Sequence, residues 1–203
     1  MNEISRREFL RRAILTACGA SLLPFFGTEP AEASPLHEED MEGSYIHKRF
    51  FSFSEYVERP ATERIVIHHT EIEDMTKGGT AALIHALHKK NNWAGIGYHY
   101  FIRPDGTIEQ GRRPPMVGAH SWQNNNNTVG VCLAGNFDKT RPTEGQMAAV
   151  KELAAWLCRG YRLAPEKRGV IVGHRDLNQD TSCPGKYLYP RLDEIRAYCA
   201  AHS

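Results

Sequence analysis

Neither sign of charge predominates in this chain: 25 Lys and Arg stand against 24 Asp and Glu, a net charge of +1. That balance leaves no electrostatic footprint for nucleic acid or for an anionic membrane surface, and a neutral or mixed partner fits better. Cysteine is sparse as well. Cys18, Cys132, Cys158, Cys183 and Cys199 are too few and too unevenly spaced to form a disulfide framework for 203 residues, so each is judged by its neighbours. The sequence also lacks internal repeats and low-complexity tracts, which excludes repeat architectures. What remains is a chain of 41% hydrophobic composition, enough for one domain with a real core.

The amino terminus reads as an address. Ser5-Arg6-Arg7-Glu8-Phe9-Leu10-Arg11 is followed, after Arg12, by an apolar stretch over residues 13–27 that is too short and too interrupted to span a bilayer. This resembles a twin-arginine export signal. Ala31-Glu32-Ala33 supplies a small-x-small cleavage pattern, so residues 1–33 are expected to be removed and the mature chain to act in the periplasm or cell envelope. An amphipathic helix is the competing reading, but Arg6, Arg7, Arg11 and Arg12 all precede the apolar block instead of sharing a face with it. Leu15-Thr16-Ala17-Cys18 resembles a lipobox. Only five residues separate Arg12 from Cys18, short for such a signal, so no membrane anchor is expected unless Cys18 is lipidated.

Residues 34–60 are acidic and then aromatic without a clear period, which suggests a linker leading into an arm packed on the domain; the body follows over residues 61–203. Arg64-Ile65-Val66-Ile67 is a β-branched run long enough for a buried strand. Leu83 and Leu87 repeat at helical spacing and predict a helix over residues 80–89, while residues 98–103 and 107–110 flank Pro104-Asp105-Gly106, a hairpin turn. Strands over 128–134 and 169–173 follow, with helices over 143–161, capped by Thr143, and 190–201. The class is α/β, a single domain whose mixed central β-sheet is flanked by helices.

Three metal-ligand types stand at or beyond strand ends: His68, His174 and Cys183. Two imidazoles and a thiolate suit zinc, and three protein ligands leave the fourth position open, as a catalytic site requires. Each residue also has a plainer explanation. His68 fits a satisfied strand-end histidine, with His69 beside it as the alternative ligand, and Cys183 fits a small buried hydrophobe. His85 and His88 share a helix face and suggest a second metal, but they neighbour Lys89 and Lys90 on what reads as a solvated surface. Cys158 and Cys199 fall on separate helices and would bond only if those helices pack together. Cys132 reads as a core residue, and His99 as a structural one facing away from Tyr98.

The ordered set Ile65-Val66-Ile67-His68-His69-Thr70, Gly97-Tyr98-His99-Tyr100, Gly118-Ala119-His120, Val129-Gly130-Val131-Cys132-Leu133-Ala134-Gly135-Asn136-Phe137, Gly173-His174-Arg175-Asp176 and Thr181-Ser182-Cys183-Pro184-Gly185 resembles the type 2 N-acetylmuramoyl-L-alanine amidases, which include phage lysozyme-type amidases and peptidoglycan recognition proteins. The resemblance runs from about Arg64 to the carboxyl terminus. It implies a single amidase domain, zinc held by His68, His174 and Cys183, and peptidoglycan or muropeptides as substrate. It further implies that Tyr98 matches the tyrosine facing the water at the metal. Thr181 matches a position held by lysine in the phage enzymes and by threonine in many recognition proteins. His120 is expected to line the cleft near the substrate, and Asn125 falls at an asparagine position of the substrate loop. Members without activity commonly replace the cysteine, so Cys183 favours an enzyme over a binding-only recognition module.

The chain departs from the pattern in two places. Gln123 stands where the family often has glycine, in the loop expected to contact the sugar or peptide. Cys132 and Ala134 occupy a strand where some cytoplasmic muropeptide amidases carry a glutamate, so Tyr98, acting through the water, is the first choice of proton acceptor. The export signal speaks against a cytoplasmic recycling enzyme and, less strongly, against a lysin.

Overall fold

The computed structural model describes residues 46–203. The twin-arginine segment, its cleavage site at Ala33, Cys18 and residues 34–45 of the expected linker lie outside the described residues.

Six strands form one mixed sheet in the order β1-β4-β3-β5-β2-β6. They are β1 (Ile46–His47), β2 (Arg64–His69), β3 (Tyr100–Ile102), β4 (Ile108–Gln110), β5 (Thr128–Leu133) and β6 (Ile171–Gly173). All neighbours run parallel except the β3–β4 hairpin. Its turn is closed by Asp105 Oδ1, which accepts from the Thr107 N–H at 2.9 Å, while Gly106 takes φ +87°, a backbone that glycine enters without steric cost. Strand β3 begins at Tyr100, so Tyr98 precedes the regular strand, although Arg112 N–H still donates to its carbonyl at 2.9 Å.

Helices α1 (Ala81–Lys90), α2 (Glu144–Tyr161) and α3 (Leu192–His202) cover the sheet unequally. Thr143 starts α2 with a capping box: its hydroxyl accepts from Gln146 N–H and Gln146 reaches back to the Thr143 N–H. Along one face, Ile65, Ile67, Val129, Val131 and Leu133 meet Val150, Leu153 and Leu157 of α2 and Leu192 and Ile195 of α3. That is the main core. On the other face only a small cluster forms, with Ala81 and Ile84 of α1 against Ile96, Phe101, Cys132 and Ala134.

Two expectations shift here. Leu83 and Leu87, whose spacing predicts the helix, are 53% and 39% exposed, and α1 docks through Ala81 and Ile84 instead. Buried Glu109 of β4 secures that seat by accepting from the Ala81 N–H at 2.6 Å at the helix start. His85 and His88 are not solvated metal candidates: their Nδ1 atoms accept from the backbone N–H of Ile96 and Gly97 at 3.3 and 3.0 Å. Both imidazoles therefore serve the loop that leads to Tyr98.

The arm joins the body directly. Ile46 is buried in the main core, Arg49 pairs with Glu109, and Phe51 stacks on His85 at 4.4 Å. Cys158 and Cys199 are buried free thiols where α2 and α3 pack; the neighbouring Cys158 thiol and burial both push the Cys199 thiol upward.

Candidate metal centre and catalytic cleft

Parallel strands bring their carboxyl ends to one edge of the sheet, where an α/β fold offers side chains to a ligand. Ile67 of β2 is in register with Gly173 of β6, so the residues that follow, His68 and His174, emerge side by side. Their rings lie 4.5 Å apart, centroid to centroid. Cys183 arrives on the loop after β6, where its carbonyl accepts from the Arg175 N–H at 2.9 Å and its sulfur accepts from the His69 N–H at 3.4 Å. One donor atom from each of His68, His174 and Cys183 falls within 4.8 Å of the others.

This donor set fits zinc. Nitrogen and sulfur without a carboxylate oxygen suit that ion over magnesium or calcium, and three protein donors leave a position open towards the cleft. His69, the rival ligand, turns to the other face of β2, where its Nδ1 accepts from the Phe137 N–H at 3.0 Å and burial lowers its pKa to about 4. Burial likewise holds His68 well below the ordinary imidazole range, with the neighbouring His120 and His174 adding to the effect. Burial pushes the Cys183 thiol up to about 12, against the pull of the His69 N–H.

The donors line a cleft of about 1020 Å³, at the upper end of ordinary ligand sites. Tyr98 and Thr181 line it too. The Tyr98 ring lies 5.2 Å from that of His68. Burial holds its hydroxyl well above the usual phenol range, and the Cys132 and Cys183 thiols add to the effect. Cys132, placed in the core by its sequence context, is in register with His68 across β2 and β5, which puts both on one face of the sheet. Thr181 Oγ1 accepts from the Cys183 N–H at 3.1 Å, which keeps its own proton available for another acceptor.

His120 also borders the cleft but is only 8% exposed, and its Nδ1 lies 3.0 Å from His68 Nε2. Asn125 Oδ1 accepts from the backbone N–H groups of His120 and Ser121 at 2.9 and 3.0 Å, so that oxygen builds the loop. Gln123, in the same loop, takes φ +64°, the left-handed conformation that explains why glycine is common at this position. Trp122 beside it projects into solvent at 78% exposure while its carbonyl accepts from Asn124 and Asn178 side chains. The Asn178 backbone N–H donates to the His174 carbonyl at 3.0 Å.

Sequence reasoning sought a carboxylate on β5 and overlooked Glu71, which lines the cleft three positions after His68. Its charge acts on both Tyr98 and Cys183, and its backbone holds φ +59°, uncommon for a glutamate. The signal was its place just past the strand-end histidines, where the chain must turn away from the sheet.

Fold and site together define an α/β domain with a candidate His-His-Cys metal centre in an open cleft. The pattern of the N-acetylmuramoyl-L-alanine amidase family matches residues 58–186, and the chain belongs to that family. The endolysin of Enterobacteria phage T3 is 33% identical over 131 residues, 62% of this chain and 82% of the phage protein. Peptidoglycan-recognition protein SD of Drosophila simulans is 34% identical over 111 residues, 52% of this chain and 55% of that protein. In structure, the N-acetylmuramoyl-L-alanine amidase LysC from Clostridium intestinale URNW aligns with a TM-score of 0.67 at 32% identity, covering 75% of this chain and 95% of LysC.

Proposed function

We propose that the chain hydrolyses the amide between N-acetylmuramic acid and L-alanine in peptidoglycan, with zinc held by His68, His174 and Cys183. The observation that carries this reading is the convergence of those three donors within 4.8 Å in a cleft of a chain of this family. Zinc in such a site polarises a carbonyl and makes water a nucleophile near neutral pH.

The chain's own groups serve the rest of the reaction. Tyr98 places a hydroxyl beside the centre, where it stabilises the negative charge that develops on the scissile carbonyl oxygen. Thr181, its oxygen engaged by the Cys183 N–H, gives a second neutral donor to the same region. Glu71, which lines the cleft together with Glu55 and Asp180, takes the proton released by the attacking water, and Asn125 shapes the loop against which the substrate lies. Residues 1–33 serve as a twin-arginine export signal, which puts the enzyme at the wall outside the cytoplasm, with residues 61–203 as the catalytic body.

The similarity to a peptidoglycan-recognition protein favours a second reading, binding without cleavage. Release of peptide stems from purified peptidoglycan, with chelator and zinc add-back, separates the two. Chelator-sensitive release with new L-alanine amino ends is the expected result. Peptidoglycan binding with one zinc bound and no release from wall or soluble muropeptides would establish the recognition module.

A further inference from the structure

We infer that His120 is a positioning residue, one that fixes the proton of His68 on the ring nitrogen turned away from the metal position. This rests on the zinc-amidase reading and deepens it, because it reassigns His120 from a substrate contact to the support of a ligand.

The inference follows from counting protons along one hydrogen-bonded chain. Thr128 Oγ1 donates its only proton to the Asn124 carbonyl at 2.6 Å. Its second contact, with His120 Nε2 at 3.4 Å, therefore has the imidazole as donor. A neutral imidazole carries one N–H, so His120 Nδ1 is bare and accepts from His68 Nε2 at 3.0 Å. That leaves His68 Nδ1 with its lone pair, and this is the nitrogen 3.6 Å from Cys183 Sγ. Both rings are buried, which disfavours a second proton on either.

The surroundings hold the His120 ring in this role. A Cβ on Gly118 or on Gly130 would come within 2.5 Å of His120 Cδ2, so both glycines are places where the backbone yields space to the ring. Asn125 grips the His120 backbone from the other side. A histidine ligand whose far N–H is bonded keeps its tautomer and orientation, and removal of such a partner lowers metal affinity by about 10- to 100-fold.

The test reads protons and zinc without substrate. Long-range proton–nitrogen NMR of the metal-free protein near neutral pH should find both His68 and His120 protonated on Nε2; a proton on His68 Nδ1 overturns the inference. In chelator competition, His120→Phe should weaken zinc binding by about 10- to 100-fold. His120→Asn, whose carboxamide oxygen stands near the place of Nδ1, should recover most of it. Unchanged zinc affinity in His120→Phe with a raised KM would return His120 to substrate binding. Because neither measurement needs turnover, the expected tautomers and affinities in a protein that releases no peptide would sink the amidase reading alone.

Discussion

His68 and Cys183 are 115 positions apart in the chain, yet Cys183 Sγ lies 3.6 Å from His68 Nδ1. The contact exists because β6 lies parallel to β2 and the loop beyond β6 is tied back by the Arg175 and His69 N–H groups. Both residues also line the cleft, so the pair belongs to the site and not to the interior alone.

Cys183→Ser should therefore reduce zinc affinity by more than about 100-fold, since loss of a ligand exceeds loss of its hydrogen-bonded support. Zinc content after dialysis reports this, and circular dichroism should show the sheet and helices retained. Full zinc occupancy in the variant would remove Cys183 from the ligand set.

Tyr98→Phe should keep zinc and lose on the order of 100- to 1000-fold in kcat, the usual cost of one donor at a developing oxyanion. Steady-state kinetics on a soluble muropeptide measures it. Unaltered kcat would remove the hydroxyl from the reaction.

Glu71→Gln tests the proton acceptor. Its kcat should fall by about 100-fold or more with zinc affinity unchanged, in the range typical of a lost general base. If activity persists while Tyr98→Phe is inactive, the acceptor role passes back to the tyrosine.

Acid stability should depend on His88. Burial holds its imidazole at about 4, with the Arg112 charge acting in the same direction, against 6.5 for an unperturbed ring. Between those values the unfolded chain binds a proton that the native state refuses, so stability declines as pH falls from about 6.5 to about 4 and is indifferent to this group above that window. In denaturant titrations of the metal-free protein, His88→Gln should shed up to about one proton from that pH slope. An identical slope would show that His88 is protonated in the native state.

Replacing Arg6 and Arg7 together with Lys should leave the protein in the cytoplasm, as cell fractionation would show. Export of the double variant at the normal level would discard the twin-arginine reading.

Much of the fold was readable because the β-branched runs, the Pro104-Asp105-Gly106 turn and the Thr143 cap are local signals whose physics acts within a few residues. The helix over residues 80–89 was placed by Leu83 and Leu87, yet it is seated by Ala81 and Ile84, because which face of a helix is buried depends on what it meets. The metal donors were readable as residue types at strand ends. Residue type alone leaves His69 as an alternative to His68, and the resemblance to a family favours His68.

Residue chemistry and short-range pattern thus determined an α/β chain carrying two imidazoles, a thiolate and a tyrosine suited to metal-assisted hydrolysis. The tertiary structure decided between His68 and His69 through strand alternation, since side chains one residue apart leave the sheet on opposite faces. It also brought His120 Nδ1 to 3.0 Å from His68 Nε2, set Cys132 on the same face of the sheet as His68, and put Glu71 at the cleft. Those relations span tens of residues, and no local propensity encodes them: they arise only when β2, β5 and β6 lock into register and carry their loops to one edge of the sheet.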